Sequence, residues 1–262
     1  VGAHLLSDVP VGAFVSGGVD SSLVASYATR AYESRLQTFS IGFTEAAYDE
    51  TQDALAVVRA LQTPHTLEYA TYDTLYALMP QIFRAMDEPF GDSSMLPTYL
   101  ASRLAASRLK VVLSGDGGDE MFAGYTKHTI EWYKARLGAA APAVGGIQAL
   151  LRNLPKSRGG RVTELVRKAE KAARGLGGDD AHSWVEMARL ADEAFVGSLL
   201  SQPAGFGTIS ERFTGFHRAP DHATSLQRTQ YTDARVPLVD DMLVKVDRMS
   251  MSHGLEARVP FL

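Results

Sequence analysis

The stretch from Phe14 to Ser22, FVSGGVDSS, constrains this chain more than any other, because it joins a strand pattern to a helix pattern through a loop of small residues. The apolar run that ends at Val15 is short enough for a buried strand, and Leu23, Val24 and Tyr27 follow at helical spacing. Glycines let the backbone approach a ligand closely, and the free N–H groups at a helix start favour an anion. The stretch therefore predicts a phosphate site between a strand and a helix.

The residues that this loop lacks narrow the kind of phosphate chemistry. No lysine follows the glycines, so the loop is neither the GxxxxGK[ST] loop of kinases and GTPases nor a GxGxxG dinucleotide loop. A phosphate cradle without lysine favours the release of pyrophosphate over γ-phosphoryl transfer. The plainer alternative is a tight turn with a serine or aspartate N-cap. The complete run SGGVDSS after an apolar strand favours the phosphate site over that alternative.

A second stretch, from Ser114 to Glu120, repeats the design of strand, Ser-Gly loop, carboxylates and helix start. Strand patterns occupy about 12–15, 36–43, 65–69 and 110–114, and helix patterns occupy about 19–33, 48–61, 71–86 and 95–108. This alternation predicts an α/β fold with a doubly wound parallel sheet. If the first strand lies between the second and the fourth, both loops face one crevice at a topological switch point, where ligands bind in such sheets.

The second half of the chain predicts additional helices. We expect a parallel-sheet core over 1–129, a helical insert over 130–222, and a helical segment over 223–262 that completes the site. The apolar positions 242, 243, 246, 249 and 251 predict a buried helix in that last segment. Several charged residues fall among positions that this pattern places inside, namely Lys245, Asp247, Arg248, Glu256 and Arg258. Buried charges are usually paired or functional.

Composition excludes several classes of protein. The 262 residues include no cysteine, so there is no disulfide, no thiolate nucleophile and no cysteine metal site. No apolar run reaches the roughly eighteen residues of a membrane span, and we expect a cytoplasmic protein. A basic run over 152–174 is read as a solvated helix face rather than an RNA-binding patch, because no aromatics are interleaved with it. Nucleic acid is therefore not expected as a partner.

Four blocks together resemble the synthetase domain of the glutamine-hydrolysing asparagine synthetases: SDVPVGAFVSGGVDSS, DEPFGDSS, LSGDGGDEMFAGY and DDMLVKVDRMSMSHGLEARVPFL. The first block alone indicates only the wider pyrophosphate-loop ATPases, whereas the four in this order are much more specific. The resemblance implies an adenine nucleotide alpha hydrolase-like fold. It also implies a ligase that joins the side-chain carboxylate of aspartate to the α-phosphate of ATP, releases pyrophosphate, and lets ammonia displace AMP.

The resemblance also assigns roles to residues. ATP and pyrophosphate are assigned to Phe14, Ser16, Gly17, Gly18, Asp20, Ser21, Ser22, Ile41, Ser114 and Gly115. Mg²⁺ is assigned to Asp20 and Asp119, the catalytic residues are Asp119, Glu120 and Asp116, and the substrate residues are Asp116, Tyr125 and Arg258. Glu120 either adds a second carboxylate at the metal or helps ammonia lose a proton.

Plainer structural roles stay open for some of these residues. Asp119 and Glu120 also suit the first turn of a helix, where the dipole favours acids. Asp116 also suits a turn, and Arg258 with Glu256 also suits a structural ion pair.

The chain departs from the family pattern in two ways. The family's glutaminase half carries an N-terminal cysteine, which this chain lacks. Nitrogen must then come from free ammonia or from a missing N-terminal glutaminase domain of the same polypeptide. The family's lysine after VPFL is absent too, so we expect a piece truncated at both ends that binds ATP and turns over weakly. A homodimer is left open.

Three other functions stay open at this point. The first is a related amidotransferase or β-lactam-synthetase-like ligase with another carboxylate substrate. The second is a tRNA-modifying pyrophosphate-loop enzyme, and the third is a nucleotide-binding regulatory module that does not turn over.

Overall fold

The structure, a computed structural model, describes residues 1–32, 34–45, 48–137, 180–188, 193–201 and 206–262. The chain divides into two compact units. The sheet unit comprises residues 1–119 and 238–262, and the helical unit comprises residues 120–237. The basic run over 152–174 lies outside the described residues. The three segments predicted from sequence, 1–129, 130–222 and 223–262, stay a prediction.

The sheet unit alternates strands and helices along the chain. Its strands are β1 Val11–Phe14, β2 Gln37–Phe43, β3 His65–Ala70, β4 Val111–Leu113 and β5 Glu256–Arg258. Its helices are a 3₁₀ helix Gly2–Leu5, α1 Val19–Ala31, α2 Thr51–Leu61, α3 Tyr72–Ala85 and α4 Met95–Ala106. A short helix, α5 Gly118–Phe122, follows β4.

The five strands form one parallel sheet in the order β3-β2-β1-β4-β5. Gly12 of β1 pairs with Gln37 of β2 on one side and with Val112 of β4 on the other. The first strand therefore lies between the second and the fourth, which is the order that a shared crevice for the two loops requires. Because the chain reverses its direction of growth at β1, the loops after β1 and β4 meet at a topological switch point.

Apolar helices cover both faces of this sheet. On one face, Ala13 belongs to a buried cluster with Ala25 of α1 and Val58 of α2. On the other face, Val112 packs in a separate cluster with Ala105 of α4. Covered faces on both sides are typical of parallel sheets, and the predicted doubly wound α/β fold is confirmed.

The prediction of a single buried helix in the last segment is wrong. Residues Pro237–Leu243 form a π-helix, α11 covers Val244–Met251, and β5 follows after a turn. Met251 is 56% exposed, and three of the charged side chains expected inside are exposed, namely Asp247, Arg248 and Glu256. Gly254 adopts a φ of +62° after α11, and the N–H of Glu256 donates to the carbonyl of Lys110. Residues 256–258 become a strand because they pair with β4. That partner lies far away in the sequence, so the local pattern does not indicate a strand.

The helical unit packs around a buried carboxylate. Its described helices after α5 are α6 Thr126–Leu137, α7 Asp180–Ala188, α8 Glu193–Leu199, α9 Phe206–Arg218 and α10 Ser225–Arg235. Asp233 is fully buried and accepts hydrogen bonds from Lys127 Nζ at 2.6 Å, His128 Nε2 at 2.7 Å and Trp184 Nε1 at 2.8 Å. Three donors on one carboxylate join α6, α7 and α10.

In the described part of the chain, every helix is too short or too polar to cross a membrane.

Candidate functional site

The two predicted loops lie against each other at the carboxyl ends of neighbouring strands. We call residues 15–22, after β1 and including the first turn of α1, the first loop, and residues 114–118, after β4, the second loop. A Cβ atom added to Gly115 would lie 2.8 Å from the backbone nitrogen of Ser21, and one added to Gly118 would lie 2.5 Å from Asp20 Cγ. At Gly115 the neighbouring atoms belong to the backbone, so only glycine allows this approach, and the structure brings together the residues that the sequence assigned to one crevice.

Hydroxyl groups give the first loop its shape. Ser21 Oγ accepts from the Ser16 N–H at 3.2 Å and lies 3.0 Å from Ser16 Oγ. Ser22 Oγ donates to the Gly18 carbonyl at 2.6 Å. Gly18 is the N-cap of α1 and provides no side-chain cap. The N–H groups of the first turn are thus left for an anion.

The first loop also lies against the start of α2. Gly17 has a φ of +88°, which favours glycine. A Cβ atom at Gly17 would lie 2.6 Å from Asp53 Cβ and 2.7 Å from the backbone nitrogen of Ala54. The first loop is therefore confined between the second loop and the first turn of α2.

The second loop is tied to β5 and holds its own aspartate. The Ser114 N–H donates to the Arg258 carbonyl at 2.8 Å, and Ser114 Oγ donates to the Asp116 carboxylate. Gly117 has a φ of +87° and lies against the side chain of Leu262. Asp116 is thus oriented by its own loop, which fits both the substrate role and the turn role predicted for it.

Two aspartates, Asp20 in the first loop and Asp119 directly after the second, form a like-charged pair. Burial and the negative charge of Asp119 raise the pKa of Asp20 above its usual range. Within the described ranges, no group of three or more His, Cys, Asp or Glu side chains could hold a metal ion. Mg²⁺ commonly takes one or two carboxylates and completes its shell with water and substrate phosphates. Two close carboxylates beside a loop predicted to bind phosphate fit an ion of that kind.

A cleft of about 240 Å³ opens beside the first loop, at the carboxyl ends of β1, β2 and β4. Five of the residues predicted for the site line it, namely Phe14, Ser16, Ile41, Ser114 and Asp116. The resemblance places Phe14, Ile41, Ser114 and Gly115 around the adenosine; the first three line this cleft, Gly115 is not among its lining residues, and the adenosine site stays a prediction.

Sequence reasoning missed the other walls of the cleft. Pro97, Thr98 and Ser102 of α4 line one side, and Tyr48 and Glu50 line another. Ser102 is fully buried and its hydroxyl has no partner in the described part of the chain. A serine inside a helix pattern carries no local signal of a site, because its position over the cleft depends on how α4 packs.

Asp49 fixes the turn that carries Tyr48 and Glu50. Its carboxylate accepts from the N–H of Phe43 at 3.2 Å, from the N–H of Thr51 at 3.3 Å and from the Thr51 hydroxyl. The hydrogen bonds from the Thr51 side chain and from the Phe43 backbone lower the pKa of Asp49 below its usual range. The end of β2 is thus tied to the start of α2.

An ion pair supports the side of the cleft that α4 forms. Lys245 of α11 is buried, and its Nζ donates to Asp92 at 2.8 Å and to Ser94 Oγ at 2.7 Å, just before α4 begins. Burial tends to raise the pKa of Asp92, but hydrogen bonds from Lys245 and Ser94 outweigh it and hold that pKa below its usual range. The pair joins α11 to the start of the helix that lines the cleft.

Glu120 and Tyr125 belong to the helical unit, where Tyr125 Oη donates to Glu120 Oε1 at 2.5 Å. Glu120 is buried. A hydrogen bond from a tyrosine to a buried carboxylate orients that carboxylate. Tyr125 therefore orients Glu120, the residue directly after Asp119 in the chain.

The Arg258 side chain forms hydrogen bonds to other residues of the chain. Its guanidinium donates to Glu256 at 2.7 Å and to the carbonyls of His4 and Leu6, each at 2.8 Å. These bonds tie β5 to the 3₁₀ helix, as the structural alternative for Arg258 requires. Its predicted substrate role stays a prediction.

Comparisons with known proteins agree with this geometry. The family model described as "Asparagine synthase" matches residues 1–262. A putative glutamine-hydrolysing asparagine synthetase of Mycobacterium bovis is 32% identical over 276 residues, and asparagine synthetase 1 of Bacillus subtilis is 28% identical over 262 residues. Both alignments cover 100% of this chain but only 39% and 40% of those proteins.

A putative asparagine synthetase 2 of Methanocaldococcus jannaschii is 48% identical over 126 residues, which is 48% of this chain and 24% of that protein. The chain thus spans about two fifths of the length of the curated relatives that it matches from end to end. Because the family model covers every residue, the chain belongs to the asparagine synthase family.

Proposed function

We propose that this chain is the ATP-dependent synthetase domain of an asparagine synthetase. It activates the side-chain carboxylate of aspartate with ATP and amidates it with ammonia, giving asparagine, AMP and pyrophosphate. The observation that carries the proposal is the contact between the two loops, with Asp20 beside Asp119 and an apolar cleft next to Ser16. The two loops can hold the phosphate chain of a nucleotide while the cleft holds its nucleoside.

The first loop binds the part of ATP that leaves. N–H groups at the start of α1 and the hydroxyls of Ser16, Ser21 and Ser22 hold the β- and γ-phosphates, and the Ser22 hydroxyl rotates away from the Gly18 carbonyl to do so. Phe14 and Ile41 of the cleft enclose the adenosine. This arrangement leaves the α-phosphate between the two loops, next to Asp116.

The first chemical step takes place at that phosphorus. An oxygen of the aspartate carboxylate forms a bond to the α-phosphorus, and the bond from that phosphorus to the bridging oxygen of pyrophosphate breaks. Asp20 and Asp119 would hold Mg²⁺, which would supply positive charge next to the phosphates of ATP.

The second step forms the amide. Ammonia attacks the acyl carbon of the adenylate, the C–N bond forms, and the C–O bond to AMP breaks. The nitrogen must lose a proton, and the Glu120 carboxylate, oriented by Tyr125, accepts it. Ammonia is supplied free or by a glutaminase domain, an activity that the names of the relatives include. We place the reaction in the cytoplasm.

Exchange of labelled pyrophosphate into ATP tests the first step, measured on the polypeptide that carries this chain with its flanking domains. Each of several amino acids is added in turn. We expect exchange that requires aspartate and Mg²⁺. Exchange with another carboxylic acid alone would identify a related ligase with a different substrate. The absence of exchange with every acid would contradict adenylation.

A further inference from the structure

The cleft has a carboxylate whose role the proposed chemistry does not explain. Glu50 lines the cleft together with Tyr48, and it lies at the N-cap position of α2. Its side chain is exposed, and in the described ranges no hydrogen bond or ion pair engages it. The adjacent Asp49 has three partners and serves the local fold, so Glu50 is the acid of this turn that stays available to a ligand.

Glu50 links the first loop to the cleft, because it lines the cleft and precedes the helix turn on which the loop packs. Gly17 of the first loop packs on Asp53 and Ala54, the first turn of the helix that Glu50 precedes. Three phenylalanines, Phe14, Phe39 and Phe43, also line the cleft. A nucleotide whose phosphates lie on the first loop and whose base lies among these aromatics has its sugar between them.

The chemistry of the side chain fits that sugar. A carboxylate has two acceptor oxygens and can take hydrogen bonds from two adjacent hydroxyl groups, as acidic residues do with ribose in dinucleotide folds. Near the polyphosphate a carboxylate is otherwise unfavourable, because like charges repel. A vicinal diol supplies two donors and no negative charge.

We propose that Glu50 binds the ribose hydroxyls of the nucleotide and makes the cleft selective for ribonucleotides over deoxyribonucleotides. The inference rests on the proposed function, because it requires the nucleotide to occupy the cleft with its phosphates on the first loop. It adds a specificity residue that neither loop contains.

Calorimetric titration of the chain with the Mg²⁺ complexes of ATP, 2′-deoxy-ATP and 3′-deoxy-ATP tests the inference. We expect at least one deoxy analogue to bind the wild-type chain about tenfold more weakly than ATP, the usual size of a lost hydrogen bond to a charged group. In Glu50→Ala this ratio falls to about one. The ratio is the measurement of choice, because removing a negative charge near the phosphates also strengthens binding of all three nucleotides.

Asp53→Asn is the matched control. It removes the same charge from the same turn of α2, but Asp53 is not among the residues that line the cleft. We expect the control to keep the wild-type preference for ATP. Unchanged preference in Glu50→Ala, or equal loss of preference in Asp53→Asn, would overturn the ribose role while leaving ATP binding intact. Failure of ATP itself to bind the wild-type chain would instead overturn the proposed function.

Discussion

At the scale of single residues, the site uses Gly17 and Gly117 for their positive φ and uses Gly115 and Gly118 to leave room for neighbouring groups. Gly115 lies so close to the backbone of Ser21 that a methyl group would overlap it, and backbone atoms cannot rotate away. Gly118 leaves space for the carboxylate of Asp20, a side chain that can move. The two positions therefore differ in how much a substitution disturbs the contact between the loops.

Gly115→Ala should separate the two loops. We expect a loss of stability of about 1–3 kcal/mol from overpacking and a nucleotide affinity at least tenfold lower, measured by chemical unfolding and calorimetry. Gly2→Ala is the control, because a Cβ atom there meets nothing within 4 Å. Equal nucleotide affinity in Gly115→Ala and Gly2→Ala would show that the loops do not need this contact.

Asp241 carries a charge that the folded chain disfavours. Burial and the nearby Asp92 raise its pKa, and its Oδ1 is buried without a partner in the described part of the chain. A raised folded pKa gives stability that is complete below the unfolded pKa and is lost as pH rises through the folded one. Asp241→Asn should therefore be more stable than the wild type near neutral pH.

We expect this gain to be at most about 1 kcal/mol, because solvent screens a half-exposed group. It should disappear below about pH 3, where the aspartate is protonated in both the folded and the unfolded state. Denaturant unfolding across this pH range measures it. A gain that is constant with pH would contradict a protonation effect.

At the scale of secondary-structure elements, sequence patterns predicted the helices and strands that depend on residues close together in the chain. The helix Ser225–Arg235 lies in the segment predicted as helical, and its Thr224–Gln227 capping box, which is visible in the sequence, fixes its start. The strands β1 to β4 were also predictable, because each is an apolar or alternating run between turn residues. β5 was not, because three residues with two charges become a strand only through pairing with β4, more than a hundred residues earlier in the chain.

The residues of the candidate site likewise fall into those that a local motif reveals and those that only tertiary packing brings to the cleft. The loop residues Ser16, Gly17 and Gly115 form motifs that the sequence displays directly. Glu50 and Ser102 were missed, because they reach the cleft only through the packing of α2 and α4. Tertiary contacts of this kind leave no periodic or compositional trace.

The ion pair between Lys245 and Asp92 belongs to this scale, since it fastens α11 to the start of α4. Lys245→Met should destabilise the chain by up to about 3 kcal/mol, because it leaves a partly buried carboxylate without its cation. The double variant Lys245→Met with Asp92→Asn removes both charges and should recover much of that loss. A double-mutant cycle by urea unfolding checks this. Additive effects would show that the two side chains do not stabilise each other.

At the scale of the whole molecule, the cleft and the helical unit are built separately. Every residue that lines the cleft belongs to the sheet unit, which combines residues 1–119 with 238–262. The helical unit has its own buried polar centre at Asp233. Damage to that centre should therefore leave nucleotide binding in place.

Asp233→Ala tests this separation. It leaves Lys127 and His128 without their shared acceptor and should destabilise the helical unit by about 3 kcal/mol. Both tryptophans of the chain, Trp132 and Trp184, lie in that unit, so tryptophan fluorescence reports its unfolding alone. We expect a lower fluorescence midpoint with unchanged ATP affinity, whereas a parallel loss of affinity would show that the cleft depends on the helical unit.

The central claim, that the two loops form one site for a metal-bound polyphosphate, is tested most directly by titrating ATP into the wild-type chain and into Asp119→Asn, each with and without Mg²⁺. We expect Mg²⁺ to strengthen ATP binding at least tenfold in the wild type and to have almost no effect in Asp119→Asn, because the metal loses one of its two carboxylates. Binding of ATP whose dependence on Mg²⁺ is the same in both proteins, or no binding to the wild-type chain, would contradict the claim.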